Sequence, residues 1–360
     1  MYLPRQQKMV VRMSELGGVR RRRFLQGAGA LGLTAMLRPT AAFAESDDED
    51  DERLGPFGPW STPINLGSVV NSGSDDTHPA ISKNGLSLYI SSARPGGVND
   101  GNGILEIWVS KRASLDAPWE TPINLGPVIN SKGPSGSVAN TASPNFSPDG
   151  HQMFFHSPRP GGCGAADLYV SRRTNKHDDF GWQEPINLGC EINSQYFDNG
   201  PTYFEDEETG IISMYFNSTR LPAGDINHAH IYVSTLDNDG SFGPAVLVPE
   251  LSSTSNEGRT AIRRDGLEMF LSSRRPGGVG DNDIWVSTRE TTADPWSTPV
   301  NLGAPVNSPY DDGGAALSWD GTTMYIFSTR PGGFGGRDLY VTTRRKLRED
   351  EDDNKSGRRR

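Results

Sequence analysis

The chain has 360 residues, of which 42 are glycine and 26 proline, and only 34% are apolar, a balance that suits a turn-rich β protein rather than a helical one. Its formal charge of −10 argues against nucleic acid or an anionic lipid surface as partner, because like charges repel. After residue 44 no stretch approaches the run of about 18 apolar residues that a membrane-spanning helix needs, so no transmembrane segment is expected beyond it.

Residues 1–44 read as a targeting segment. "RRRRFLQGAGALGLTAML" (20–37) sets arginines directly before a mild, Gly/Ala-rich apolar stretch, and Ala42-Phe43-Ala44 places small residues where a signal peptidase cuts. Arg21-Arg22-Arg23-Phe24-Leu25-Gln26 resembles the twin-arginine export signal, which implies a bacterial protein that crosses the membrane already folded, to the periplasm or beyond. The alternative is a basic surface helix. Removing this segment takes away eight of the 35 basic residues and one of the 45 acids, so the remainder is more acidic still. Residues 45–57 are expected to be an acidic disordered linker and 347–360 a charged disordered tail, since both are charge runs with little apolar content.

Between them the chain repeats itself. "WSTPINLGSVVNS" starts at Trp60, "WETPINLGPVINS" at Trp119, "WQEPINLGCEINS" at Trp182 and "WSTPVNLGAPVNS" at Trp296, with a degraded copy, "FGPAVLVPELSS", at Phe242. Each unit carries a strand-length apolar run ("LSLYISS" at 86–92, for example), preceded in four of the five by a tight turn such as "SPDG" (147–150). A second run follows ("IWVS", "LYVS", "IYVS", "IWVS", "LYVT"), apolar on successive residues and so covered on both faces. The reading is four strands per unit: an inner A, then B, C and a proline-containing outer D. Strands A, B and C each occur five times from about Thr77 to Arg345, whereas the first D, Trp60–Leu66, precedes every A. That orphan should pair with the last C and close the ring, which removes the exposed edges of an open sheet. The expected fold is all-β, a five-bladed β-propeller over residues 58–346 with four antiparallel strands per blade; the rival is a sandwich or an open array of the same hairpins. "SPDGHQMFFHSPRPGGCGAADLYVSRR" (147–173) resembles the TolB-like, WD-repeat-related propeller repeat of bacterial envelope proteins. The resemblance implies the fold and a binding or assembly role, and is poor evidence for function.

Two sets of polar residues recur. An arginine ends each B strand (Arg94, Arg159, Arg220, Arg275, Arg330), and Glu106, Asp167, His230, Asp283 or Asp338 starts each C. These positions face one another across the B–C hairpin, so structural arginine–acid pairs are expected to pin each Gly-rich loop. His230 then leaves Arg220 with no carboxylate in its blade. A second set, Asp76, Asp198, Glu257 and Asp312, precedes strand A, with Thr141 in the second unit. Two readings stay open for it. With Arg220 and His230 it lines a polar ligand pocket for a sugar, peptide or cation, or it caps local loop amides. The loop before the second A strand, "KGPSGSVANTAS" (132–143), is twice the usual length, and Cys163 and Cys190 fall on the same face, where a disulfide is open to them.

Motifs of chemistry are absent. No nucleophile elbow, phosphate loop or zinc signature occurs, so no catalytic residue, metal site or cofactor is assigned. The leading expectation is an exported, monomeric, non-enzymatic binding module that takes an envelope protein or glycan on the channel face made by the D–A and B–C loops. The alternative is a glycoside hydrolase-like enzyme with the axial carboxylates as acid and as nucleophile or base.

Overall fold

The computed structural model describes residues 56–99, 103–131, 140–220 and 228–347. The predicted export signal, the linker up to residue 55, residues 132–139 of the long loop, residues 221–227 of the third unit and the tail from 348 lie outside the described residues. A two-residue strand, β1 (Ile64–Asn65), comes first. The first blade is β2 (Asp76–Ile81), β3 (Ser87–Ser92), β4 (Glu106–Lys111) and β5 (Ile123–Asn124). The second is β6 (Ala142–Phe146), β7 (Gln152–Ser157), β8 (Asp167–Arg172) and β9 (Ile186–Asn187). The third is β10 (Asp198–Glu205), β11 (Ile212–Ser218), β12 (His230–Thr235) and β13 (Val246–Leu247). The fourth is β14 (Glu257–Ile262), β15 (Glu268–Ser273), β16 (Asp283–Thr288) and β17 (Val300–Asn301). The fifth contributes β18 (Asp312–Leu317), β19 (Thr323–Ser328) and β20 (Asp338–Thr343).

Every sheet is antiparallel and four-stranded, and β1 supplies the fourth strand of the last one. Ile64 lies opposite Val341 and Asn65 opposite Tyr340. The seam extends beyond the strand proper, with Gly58 N donating to Arg345 O (2.9 Å) and Leu66 N to Leu339 O (3.0 Å). The five-bladed propeller closed by its N-terminal outer strand is therefore the fold. Outer strands are only two residues long because the preceding proline, Pro63 in β1, has no N–H to give the ladder. Among the described residues no helix is long and apolar enough to cross a membrane.

The core lies between blades. All six residues of β3 are buried, and Leu88 and Ile90 pack on Tyr325 and Leu339 of the fifth blade. The repeated tryptophan of the D segment caps these gaps. Trp60, Trp182 and Trp296 are buried, and Trp60 meets Phe270 edge-on at 6.0 Å. An arginine just after strand C covers each ring: Arg112 over Trp119, Arg173 over Trp182, Arg289 over Trp296 and Arg344 over Trp60, all with centroid distances of 4.2–4.4 Å. The degraded third unit has Phe242 for the tryptophan and Leu236 for the arginine, so the two losses go together.

Strand A is bulged in every blade, between its second and fifth residues in β2, β10 and β18 and between its first and fourth in β6 and β14. Its third residue takes a left-handed conformation at His78, Ser143, Gly200 and Gly314. These bulges meet at the axis: a Cβ on Gly314 would lie 3.5 Å from His78 N, and one on Gly200 3.3 Å from Arg259 Cβ. The equivalent residue of the fourth blade is Arg259.

Candidate functional site on the propeller axis

The D–A and B–C loops share one face, as expected, but its charges pair differently. Arg94 turns away from Glu106 and toward strand A, where Nη2 donates to Asp76 Oδ1 (2.7 Å) and Val70 O (2.6 Å). Arg220 binds Asp198 (2.6 Å), Arg275 binds Glu257 (2.9 Å) and Arg330 binds Asp312 (2.7 Å) in the same way. The second oxygen of each acid is taken by the serine of the Asn-Ser turn (Ser-Ser in the fourth copy). In the fifth blade Asp312 Oδ2 accepts from Ser308 N and Oγ, both at 2.6 Å. The expected pairs Arg94–Glu106, Arg275–Asp283 and Arg330–Asp338 are therefore corrected, and Arg220 does have a carboxylate. The reason is that the A-side turn offers the guanidinium a carbonyl as well as a carboxylate.

The acids at the start of strand C collect backbone amides instead. Glu106 accepts from Val98 N (2.9 Å) and Asn99 N (2.7 Å), and Asp338 from Phe334 N (2.6 Å) and Gly335 N (3.0 Å). Asp167 and Asp283 do the same with Cys163 N and Val279 N, and burial raises the pKa of Asp167 against the pull of those bonds. This accounts for the Arg-Pro-Gly-Gly phrase. Gly332 has φ = 93°, and a Cβ on Gly333 would stand 2.4 Å from the Asp338 carboxylate, so both glycines are needed.

The second blade is the exception. Thr141 replaces the acid, and among the described residues Arg159 has no carboxylate at ion-pair distance, so the Arg159–Asp167 pair is also corrected. Arg159 keeps Ile129 O and Ser157 Oγ as acceptors, and burial lowers its pKa. Ser131, which has lost its acid, holds a buried hydroxyl with no hydrogen-bond partner. A disulfide joins Cys163 in the B–C loop to Cys190 after strand D, with Cα atoms 5.6 Å apart. His230 is buried at the head of β12, opposite Ser218 in register.

Asp76, Asp198 and Asp312 are fully buried and Glu257 is 1% exposed. With their carboxylate oxygens occupied by local donors, they hold loops and are not free to serve as an acid–base pair.

The cavity opens on the opposite face, where strands A run into the A–B turns. It is a pocket of about 130 Å³, room for about four waters. Arg259 lies at its floor and Lys83, Arg264, Tyr203, Phe146 and Trp319 in its walls. Lys83 Nζ sits 4.3 Å from the centre of the Trp319 ring. The pocket is lined by three cations and no carboxylate. At its edge the Tyr203 hydroxyl donates to Glu205 Oε2 (3.2 Å). Burial raises the phenol's pKa, and the charge of Glu205, which also accepts the hydroxyl's hydrogen bond, and that of Asp149 on the neighbouring blade add to the shift.

Arg259 crosses the axis to donate to Pro79 O (2.7 Å) and Pro144 O (2.6 Å) of the first two blades. Burial lowers its pKa to about 9. His78 and His156 stand close by. Burial and the charge of Arg259 hold His78 well below the usual imidazole range and His156 at about 4. None of these residues was singled out in the sequence. The available signal was the third residue of strand A, which is histidine, serine or glycine in four copies and arginine in the fourth.

No family model matches the chain, and no curated protein matches it. Solved structures do. An α-L-arabinofuranosidase from Lactobacillus brevis superposes with TM-score 0.52 at 15% identity, over 79% of this chain and 94% of that one. A GH43_12 protein from a capybara gut metagenome gives 0.51 at 14% identity, over 79% of this chain and 53% of that one. The catalytic domain of a GH62 α-L-arabinofuranosidase from Coprinopsis cinerea gives 0.49 at 13% identity, over 79% and 96%. At these identities the likeness is one of fold. The expectation of a non-enzymatic binding module on the D–A/B–C face is overturned on two counts. Asp76, Asp198, Glu257 and Asp312, the acids expected to bind a ligand there, are consumed in pinning loops, and the two structures matched at TM-scores above 0.5 are an α-L-arabinofuranosidase and a GH43_12 protein.

Proposed function

We propose that the protein is a glycoside hydrolase-like enzyme that acts, after export, on a glycan held in the axial pocket of the A–B face. The observation that carries this reading is the Tyr203–Glu205 pair at the edge of a pocket walled by aromatic and polar side chains. Trp319 and Phe146 give a sugar ring apolar faces to lie on, and Lys83, Arg264 and Asn145 give its hydroxyls partners. The four axial carboxylates weighed earlier take no part. Their roles pass to Glu205, which accepts the Tyr203 hydrogen bond, and to Asp149 of the neighbouring blade, whose charge reaches the same phenol.

The step is a displacement at the anomeric carbon. Tyr203 Oη attacks and forms the new C–O bond while Glu205 takes the phenolic proton. The glycosidic C–O bond breaks and Asp149 protonates the departing oxygen. Water then enters with Asp149 as base, and the phenol recovers its proton. Because burial and neighbouring carboxylates disfavour the phenolate, the proton must leave as attack proceeds, which is why the base has to touch the hydroxyl.

The test is release of reducing ends from a panel of neutral and acidic oligosaccharides. Tyr203→Phe and Glu205→Gln are each expected to lower kcat by about 100-fold or more with the melting temperature unchanged. No hydrolysis across the panel, or turnover indifferent to both substitutions, would sink the proposal.

A further inference from the structure

The most deeply buried arginines among the described residues are Arg173, Arg259 and Arg344. Arg173 pairs with Asp179 at 3.0 Å and Arg344 with Glu268 at 2.6 Å. Arg259, the most buried at 4% exposure, has only two proline carbonyls, and its Nε has no partner. A buried cation without a counter-charge is costly, and Arg173 and Arg344 each have one at short range. Here neutral carbonyls take two N–H groups and the guanidinium keeps its full charge.

Its position gives that charge a direction. Arg259 closes the pocket floor, and the other two charged groups in the lining, Lys83 and Arg264, are also cations. A chain with 45 acidic and 35 basic residues thus concentrates positive potential in one axial hole. His78 and His156 beside Arg259 are held neutral by burial and by its charge, so no neighbouring imidazolium competes for an anion at neutral pH. Trp319, against Lys83, adds a flat apolar wall beside the charge. A sugar ring with an apolar C–H face and a negative group satisfies both features.

We propose that the pocket's ligand is an acidic glycan, whose carboxylate or sulfate group seats on Arg259 with Lys83 and Arg264 at the rim. The inference deepens the hydrolase reading by naming its substrate class and rests on it for the word substrate. Recognition itself stands on the pocket alone.

Binding is therefore measured separately from turnover, by calorimetry on the full chain carrying Glu205→Gln. The probes are trigalacturonate, neutral galactotriose and inorganic sulfate. Trigalacturonate is expected to bind at least ten-fold more tightly than galactotriose and than sulfate, and to weaken as salt is raised. Arg259→Gln should lose at least ten-fold in its affinity, and Arg259→Lys should keep part of it. Should Arg259→Gln fail to fold, the double variant Lys83→Gln/Arg264→Gln, at the pocket rim, is expected to lose a similar factor. Equal binding of the neutral trisaccharide, or acidic binding that survives the double variant, overturns the inference. Sulfate binding as tightly as the uronate overturns the glycan part of it. Hydrolysis confined to neutral glycans would defeat the inference and spare the enzyme. Tight uronate binding with no hydrolysis of any glycan would do the reverse.

Discussion

The arginine–acid pin of the fifth blade can be broken and compared with a blade that lacks it. Asp312 accepts three hydrogen bonds, from Arg330 Nη2, Ser308 N and Ser308 Oγ, all at 2.6–2.7 Å, and it is fully buried. Asp312→Ala leaves the Arg330 guanidinium with Val306 O and Ser328 Oγ only. Removing one partner of a buried ion pair costs about 3–5 kcal/mol, because the other charge stays desolvated. Arg330→Met should cost as much by orphaning the carboxylate. In the second blade Arg159→Met removes two bonds, to Ile129 O and Ser157 Oγ, and orphans no charge, so about 1–3 kcal/mol is expected.

The same comparison predicts a gain. Thr141 N donates to Leu105 O (2.9 Å) as Asp312 N donates to Asn282 O (2.8 Å), so the two positions share a register. An aspartate at 141 would meet both Arg159 and the unpartnered Ser131 hydroxyl. Thr141→Asp is expected to stabilise by about 1–2 kcal/mol, and the gain should vanish in an Arg159→Met background. Urea unfolding at pH 7, followed by tryptophan fluorescence, reads all of these. On the thermal scale the Asp312→Ala loss is on the order of 10 °C. Equal costs for Arg159→Met and Arg330→Met, or an Asp312→Ala loss under about 1 kcal/mol, would refute the pinning argument.

Two further outcomes follow from the core. His156 is held at about pKa 4 in the fold against 6.5 in the open chain, so the unfolded state takes up a proton first as the pH falls. Stability is full above about 6.5 and drops by about 3 kcal/mol as pH approaches 4; His156→Gln should flatten that slope, and parallel curves for the two proteins would count against it. Trp60 is the wedge between the last blades and is buried, whereas Trp119, its counterpart between the first and last blades, is half-buried. Trp60→Ala is expected to cost about 3–5 kcal/mol and Trp119→Ala clearly less, as measured by urea midpoints; the reverse order would mean that the N-terminal segment does not close the ring.

Blade number and ring closure were legible because they depend on pattern. Five copies of one hairpin and a D segment placed ahead of the first A strand admit few arrangements. The partner of each arginine was not legible. Ser92 lies opposite Asp76 on one side and Glu106 on the other, so Arg94, two residues later, has an acid within reach on either flank. The deciding feature is which acid meets free amides, and that depends on how the glycine-rich loop curls over Glu106. Arg259 escaped notice for a different reason. One arginine in a short strand carries no periodicity, and its lack of a carboxylate partner among the described residues exists only after five blades converge.

The two faces of the ring divide the work, and the division shows where function can change. On the D–A/B–C face the copies agree, since arginine, acid, asparagine and paired glycines recur and bind one another. A substitution there costs stability first. On the A–B face the residues bordering the pocket differ from copy to copy, with Lys83, Pro148, Arg264 and Trp319 at the turns, and Arg259 at the bulge beneath them. The four turn residues take no part in the arginine–acid pins, so they are free to vary with the ligand, whereas Arg259 also ties three blades together through Pro79 O and Pro144 O. Repetition marks the architecture, and its failures mark the pocket. The long second loop breaks the symmetry on the pinned face, whereas the cationic residues break it on the open one. The second kind of asymmetry gathers unlike side chains into one cavity, which is what selective recognition of a single ligand requires.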